Sequence, residues 1–192
     1  YPVLSRYTQF DIGEARVVSF DLDEVAKSGG DAADRQTAVM YMLARYILGK
    51  DFYLNKEAVS NLPKEYKTYH EKRAAEIKED QKRIVFDEFH RTSKAQAVRD
   101  QVIVDMREGR KWRVQVFVVS QDLNDFDDEI VKFATSTFIM DAGPEQAIEE
   151  TSKRFGLSAT AKTALRQSVR GPREGGATFL GQFATKEGNH LQ

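Results

Sequence analysis

The sequence predicts an α/β fold, a mainly parallel sheet with helices on both faces. Short apolar, β-branched runs alternate with helix-favouring segments along the whole chain, which is the order that builds parallel sheets. The clearest runs are Ile84 to Phe86 and Val114 to Val119, and each ends in polar residues. We predict one domain over residues 1–192, with a flexible tail at residues 186–192.

Composition limits the classes of protein to consider. The chain has 192 residues, of which 41% are hydrophobic and 31% charged, as expected for a globular domain with a real core. The net charge of −1 creates no overall field that would attract nucleic acid or acidic membranes. The absence of cysteine excludes disulfides and thiolate metal sites. No apolar run approaches the roughly 18 residues of a membrane span, so no integral membrane segment is expected.

The first half of the chain predicts a strand, two helices and the central strand. Residues 15–22 are β-branched and apolar, which favours a strand. A helix is expected from Asp31, a plausible N-cap, to a stop at Gly49. Residues 64–82 favour a charged helix with few apolar anchors, typical of a solvated face. The strand at Ile84 follows.

The second half continues the alternation. Ser93 and Gln96 form a capping-box pattern before a helix that ends at Gly109, and the strand from Val114 comes next. Further helices are predicted at 125–134, from Pro144 to about 154, and from the N-cap Ser158 to about 169. Strands are predicted at 137–140 and 177–183, and a flexible basic loop at 171–176.

Two adjacent acids, Asp87 and Glu88, directly follow the central strand. The carboxyl ends of parallel strands are where open α/β sheets bind ligands, and paired acids there are costly without a positive partner. Magnesium with a nucleoside triphosphate is the usual partner, with the first acid holding the metal through water and the second activating the attacking water. This is a Walker B pattern. The alternative is a strand that ends in a solvated acidic turn.

Ser120 and Gln121 end the neighbouring predicted strand. Adjacent carboxyl ends open onto one crevice, so Gln121 is expected to reach the same ligand as Asp87 and Glu88. An amide in that position can sense a γ-phosphate or align water. Alternatively, Gln121 only caps the following turn.

A basic cluster lies between the helix and the strong strand, and consists of Arg107, Arg110, Lys111 and Arg113. It is either a solvated basic turn at a helix C-terminus or the source of an arginine finger for a neighbouring subunit.

The chain's histidines show no metal-ligand spacing, and His90 is interpreted as a local structural or coupling residue.

One part of the predicted site is missing. The string Gly-x-x-x-x-Gly-Lys-[Ser/Thr] does not occur, so the sequence has no strong phosphate cradle. Either the phosphate-binding loop lies upstream in a longer chain, or the nucleotide hypothesis is wrong.

The ordered motifs nevertheless resemble a known group. The succession Ile84-Val-Phe-Asp-Glu, an amphipathic helix, Arg107-Glu-Gly-Arg-Lys and a strand ending in Ser120-Gln121 is similar to the FtsK–HerA class of P-loop ATPases. Within that class it resembles the VirB/TraC-type traffic ATPases of type IV secretion and conjugation. The wording Val85-Phe-Asp-Glu-Phe-His-Arg-Thr is most similar to the ATPases of Dot/Icm-type systems. The similarity extends from about Ala15 to Phe183.

The resemblance implies the C-terminal portion of an ATPase domain with a RecA/FtsK-like sheet, incomplete because the Walker A part is missing. It implies ATP and Mg²⁺ as cofactors and a cytoplasmic location, peripherally associated with the inner membrane at the secretion channel. The implied partners are further copies of the chain, often in a hexamer, other secretion-system ATPases, inner-membrane channel components and protein substrates.

The resemblance also assigns roles to residues. Asp87 holds Mg²⁺ through water, Glu88 activates water, and Ser120 and Gln121 contact the nucleotide. Arg110, or else Arg107, is the finger supplied in trans. Arg170 and Arg173 in the late glycine-rich loop are weaker candidates for nucleotide or subunit contacts.

Two other functions remain open at this stage. The chain is either a non-catalytic scaffold or partner-docking domain that uses the fold without the chemistry, or a DNA-pumping ATPase of the same superfamily. The near-neutral charge argues mildly against nucleic acid as a partner.

Overall fold

The computed structural model describes residues 15–25, 29–141, 143–185 and 188–191, and the fold is mixed α/β. The helices of this part are α1 (Asp31–Gly49), α2 (Lys56–Val59), α3 (Lys64–Glu79), α4 (Gln96–Gly109), α5 (Asp128–Phe133), α6 (Glu145–Phe155) and α7 (Ala159–Ser168). Its strands are β1 (Lys82–Phe86), β2 (Val114–Val118), β3 (Ser136–Ile139), β4 (Arg170–Arg173), β5 (Gly176–Thr178), β6 (Leu180–Thr185) and β7 (Gly188–Leu191).

The parallel pairing predicted for the two strongest strands is confirmed. β1 and β2 run parallel with Ile84 opposite Val116, and α4 forms the crossover between them. Because successive side chains of a strand point to opposite faces, Ile84, Phe86 and Val116 share one face, which packs into a core with α1, α4 and α5. Phe89 and Val102, both 0% exposed, lie in this first core.

The opposite face of β1 and β2 differs from the prediction of helices on both faces. It exposes Val85, Phe117 and Val119, which are 56%, 37% and 47% accessible. Within the described residues, this pair forms a sheet of two strands, so the predicted single parallel sheet is not present there.

A second core is built on an antiparallel sheet, contrary to the parallel prediction for its strands. β6 pairs antiparallel with both β3 and β7, and its inner residue Leu180 packs with Ile139, Ile148 and Leu165. The reason lies in the connection. A single crossover helix joins parallel strands, as α4 does for β1 and β2, whereas the connection from β3 to β6 contains two helices, α6 and α7, and the β4–β5 hairpin.

Three local predictions also change. Residues 15–22 form no strand in the structure, and Val17 is 91% exposed, because no neighbouring strand pairs with this segment. The predicted loop at 171–176 is a hairpin, in which β4 pairs with β5 and Gly176 adopts φ 107°. The predicted flexible tail contains β7, while residues 186, 187 and 192 lie outside the described part.

Among the described residues, no helix combines the length and the apolar character that a membrane span requires.

Candidate functional site

The acid pair lies where β1 ends. Asp87 is exposed, and its Oδ1 accepts a hydrogen bond of 2.9 Å from the Glu88 backbone N–H. Glu88 has φ 52° and ψ 44°, the left-handed region that non-glycine residues seldom occupy. The next residue, Phe89, is fully buried and anchors the turn. A rare backbone conformation held by a buried neighbour is typical of residues that a fold presents for function.

Backbone hydrogen bonds join the end of β1 to the end of β2. The Val119 N–H donates to the Phe86 carbonyl at 2.9 Å, and the Phe89 N–H donates to the Val119 carbonyl at 3.0 Å. The parallel ladder therefore continues past both strands. It keeps the segment that carries Glu88 beside the segment that carries Gln121.

The structure brings Glu88 and Gln121 into direct contact. Gln121 Nε2 donates to Glu88 Oε1 at 3.2 Å, while His90 Nδ1 lies 3.4 Å from Glu88 Oε2. His90 and Gln121 also line an open depression of about 380 Å³ together with Asp122 and Leu123. Two side chains from separate strand ends therefore converge on one carboxylate at the edge of a surface depression.

The Ser120 hydroxyl forms its hydrogen bonds within its own loop. It donates to Asp125 and accepts the Asp122 N–H at 3.2 Å. Asp125 is 3% exposed, so the serine is tied to a buried carboxylate below the loop. Ser120 therefore supports the loop that carries Gln121, and its proton is already committed.

A buried ion pair supports both sides of the site, and sequence reasoning missed it. Arg99 on α4 donates to the Asp125 carbonyl at 2.7 Å and to its carboxylate at 3.3 Å. The same guanidinium lies 5.1 Å from the ring centre of Phe89. Arg99 therefore links the turn after β1 with the loop after β2. One indication of this pair was present in the sequence. Arg99 lies beside the apolar residues Val98 and Val102 on α4, and a charged side chain buried among such residues requires a partner.

A second group at this edge was also missed. Burial raises the pKa of Tyr41 on α1; the Arg91 charge opposes the rise, and the Glu88, Asp23 and Asp87 charges add to it. The Tyr41 hydroxyl therefore lies within the field of the acid pair. Arg91 forms an ion pair with Asp23, which gives this acidic edge one nearby cation. No local sequence pattern relates residues so far apart in the chain.

Arg107 and Arg110 lie at the other end of the strand pair. α4 carries the chain back from the carboxyl end of β1 to the amino end of β2, about 16 Å of strand from Asp87. Arg107 lies over the Phe133 ring at 5.3 Å and is 4.0 Å from Glu129, whereas Arg110 is exposed in the short turn before β2. Neither arginine reaches Glu88 of its own chain.

The late arginines belong to the β4–β5 hairpin. Arg170 donates to the Arg166 and Val169 carbonyls at 3.2 and 2.9 Å, and Arg173 is exposed. In the described ranges, no hydrogen bond or ion pair joins either arginine to the acid pair or to Gln121.

The donor set fits one part of a magnesium–nucleotide site. Mg²⁺ usually takes one or two protein carboxylates and keeps several waters, and the exposed carboxylate of Asp87 meets that requirement. No cluster of three or more metal-ligating side chains occurs in the described part, so phosphate oxygens and water would have to complete the coordination. The sequence supplies the acid and amide but no glycine-rich phosphate loop.

Comparison with known proteins adds no relative. No family model matches this sequence, and no curated protein or solved structure is similar enough to it to suggest one.

Proposed function

We propose that this chain is part of an ATP-hydrolysing motor subunit of a type IV, Dot/Icm-like secretion system, where it powers substrate translocation or assembly of the apparatus. The observation that carries the proposal is the contact of Gln121 with Glu88 at the carboxyl ends of two parallel strands. An acid and an amide that meet in this place are suited to activating water next to a phosphate. The ordered motifs described above supply the family context.

Each residue has a defined task in this proposal. Asp87 holds Mg²⁺ through water, and the bound ion would neutralise charge that develops on the phosphates. Glu88 accepts the proton of the attacking water and orients it. Gln121 donates its amide N–H groups to a phosphate oxygen, which links recognition of the phosphate to the acid that it touches.

The assembly is also part of the proposal. Arg110, or Arg107, serves a neighbouring copy, because neither reaches the acid pair of its own chain. This requires self-association, for which a hexamer is the expected form. ATP, Mg²⁺, other secretion ATPases, inner-membrane channel components and protein substrates are the proposed ligands and partners, and the proposed location is the cytoplasmic side of the inner membrane.

The test is ATP turnover by the natural full-length chain that contains this sequence, because the phosphate loop must come from outside these residues. The variants are Glu88→Gln and, as a matched control, Glu76→Gln on the exposed surface of α3. We expect Glu88→Gln to lower kcat by at least about 100-fold, the usual contribution of a general base, and to leave assembly intact. Glu76→Gln should have no effect. Equal turnover by the wild type and Glu88→Gln would refute the assignment.

A second candidate is a non-catalytic scaffold. The specific observation in its favour is the absence of a phosphate loop from the sequence, together with the exposed surface of α3, whose one buried residue is Ala74. This function predicts no turnover by the wild-type full-length chain at any protein concentration. It also predicts unchanged partner binding by Glu88→Gln.

A further inference from the structure

One nitrogen beside Glu88 is screened from solvent and has an unfavourable environment. His90 Nδ1 is buried and has no hydrogen-bond partner among the described residues, although Glu88 Oε2 lies only 3.4 Å away. Buried polar atoms without partners are rare and unfavourable in folded proteins. His90 Nδ1 therefore lies close to the Glu88 carboxylate without forming a well-directed hydrogen bond to it.

The chemistry of the two groups determines the direction of that bond. A carboxylate oxygen only accepts hydrogen bonds, so the contact is favourable when Nδ1 carries a proton. A small movement of either side chain would bring Nδ1 and the carboxylate into a well-directed hydrogen bond. Both side chains have room for this movement, because each is 41% exposed.

Hydrogen bonds hold the backbone of the turn that carries His90. His90 lies in the short helical turn Phe89–Thr92, closed by hydrogen bonds from Arg91 N–H to Glu88 O and from Ser93 N–H to His90 O, at 3.0 and 3.1 Å. Phe89 anchors the turn in the core. The turn therefore keeps the backbone of His90 beside Glu88, and the two side chains, both 41% exposed, adjust to each other.

Gln121 occupies the other oxygen of Glu88. Its amide donates to Oε1 at 3.2 Å, and in the proposed function the same amide is needed by a phosphate oxygen. When Gln121 turns to a phosphate, Glu88 loses one of its two neighbours. His90 is then the remaining side chain in position to hold the carboxylate.

We propose that His90 is a positioning residue for Glu88, which its Nδ1 holds in place while Gln121 engages the phosphate of the substrate. The inference rests on the proposed ATPase function and adds to it a coupling between recognition of the phosphate and placement of the base. His90 itself does not touch the reacting atoms. It acts on the rate through the orientation of Glu88.

Three substitutions in the natural full-length chain separate the two ring nitrogens. His90→Asn places an amide N–H near the position of Nδ1, His90→Gln places one near Nε2, and His90→Leu removes both. We expect kcat for ATP to fall roughly 10–100-fold for His90→Leu and His90→Gln, the range found when a supporting partner of a functional ligand is removed. His90→Asn should stay within about threefold of wild type. KM should change less than about twofold throughout, since substrate binding is not involved.

His70→Leu on the surface of α3 serves as the matched control and should leave kcat unchanged. Thermal melting of every variant separates loss of the fold from loss of positioning. If the leucine variant unfolds, the comparison of kcat between His90→Asn and His90→Gln still tests the role of His90. Equal kcat for the asparagine and glutamine variants, or a change confined to KM, would overturn the role of His90. If the wild type turns over ATP and Glu88→Gln does not, the proposed function stands, and either of these outcomes would overturn only the role of His90. A wild type without turnover would refute the proposed function and this inference with it.

Discussion

Asp105 is a buried carboxylate with three side-chain partners. Its carboxylate, 2% exposed, forms an ion pair with Arg45 and accepts hydrogen bonds from Tyr53 at 3.1 Å and Gln101 at 3.2 Å. The hydrogen bond to Asp105 raises the pKa of Arg45, and burial, followed by the Asp105 charge, raises the pKa of Tyr53 to about 12. One carboxylate thus joins α1, the turn after it and α4.

Asp105→Asn should therefore destabilise the fold. The substitution keeps the shape but leaves the Arg45 charge, whose side chain is 18% exposed, without its counter-charge. Removing one member of a buried pair costs several kcal/mol, and partial exposure of the arginine reduces our expectation to about 2–3 kcal/mol. Urea unfolding of this chain measures the change in free energy.

Glu71→Gln is the control for this measurement. Glu71 pairs with Lys67 at 3.9 Å on the solvent face of α3, and both side chains are more than 40% exposed. Exposed pairs of this kind contribute well under about 1 kcal/mol. A loss for Asp105→Asn as small as that of the control would show that the Arg45–Asp105 pair does not stabilise the fold.

At the scale of elements, α4 supports the whole candidate site. It is the crossover between the two parallel strands, and its residues Val98 and Val102 lie in the first core. The helix also supplies Arg99 to the loops of the site and Asp105 to the network with α1. Its last residue, Gly109, is required by close packing, because a Cβ there would lie 2.5 Å from the Val114 carbonyl oxygen.

Val102→Ala should destabilise the chain by about 1–2 kcal/mol, because the removal of two buried methyl groups loses transfer free energy and leaves a cavity. The matched control is Val104→Ala on the same helix. Val104 is 44% exposed, so its truncation should lower the free energy of unfolding very little. The higher helix propensity of alanine should offset even this small loss of stability. The two urea midpoints are compared directly. Equal shifts would contradict the burial that the structure assigns to Val102.

Elements set by local signals were predictable from the sequence. The end of α1 at Gly49 and the cap of α7, where the Ser158 hydroxyl accepts the Ala161 N–H at 3.1 Å, follow from periodicity and end-of-helix residues. The N-cap predicted at Asp31 was wrong, because Gly30 is the N-cap and Asp31 is the first residue of the helix. The capping box at Ser93 and Gln96 was wrong: the N-cap is Ala95, and Gln96 bonds Asp100 instead. The preceding helical turn, which ends at Thr92, competes for this segment.

The same distinction between local signals and tertiary packing applies to strand pairing and to the candidate site. The meeting of Glu88 with Gln121 was predictable, because the carboxyl ends of parallel strands share one edge of a sheet. The strand predicted at residues 15–22 is absent from the structure. Strand formation depends on a partner distant in sequence, which a local pattern cannot reveal. The positions of Tyr41 and Asp23 beside the acid pair likewise result from tertiary packing, which leaves no periodic signal.

At the scale of the molecule, the two ends of the β1–β2 pair differ in their charged residues. The carboxyl end presents the acid side chains Asp87, Glu88 and Asp122. At the amino end, Arg113 and Arg107 pair with Glu79 and Glu129, whereas Arg110 and Lys111 form no ion pair within the described residues. Copies that associate head to tail would bring Arg110 and Lys111 of one copy towards the acid pair of the next, an arrangement that closes into a ring when the rotation permits.

The trans role proposed for Arg110 can be tested by mixing two variants of the full-length chain that are each expected to be inactive. Arg110→Ala retains Glu88 but lacks the finger, whereas Glu88→Gln retains the finger but lacks the base. Each should be inactive alone. In an equimolar mixture that exchanges subunits, about a quarter of the interfaces in a ring combine an intact Glu88 with an intact Arg110, so ATP turnover should recover to about that fraction of wild type.

The same mixing experiment identifies which arginine acts. If Arg107 is the finger, Arg107→Ala mixed with Glu88→Gln recovers turnover, while Arg110→Ala has wild-type activity on its own. Recovery must also depend on protein concentration, because each complete site needs two chains. Arg110→Ala that is inactive alone and gains nothing from mixing would contradict action in trans. Since Arg110 lies about 16 Å of strand from the acid pair of its own chain, that result would exclude Arg110 as a finger in either chain.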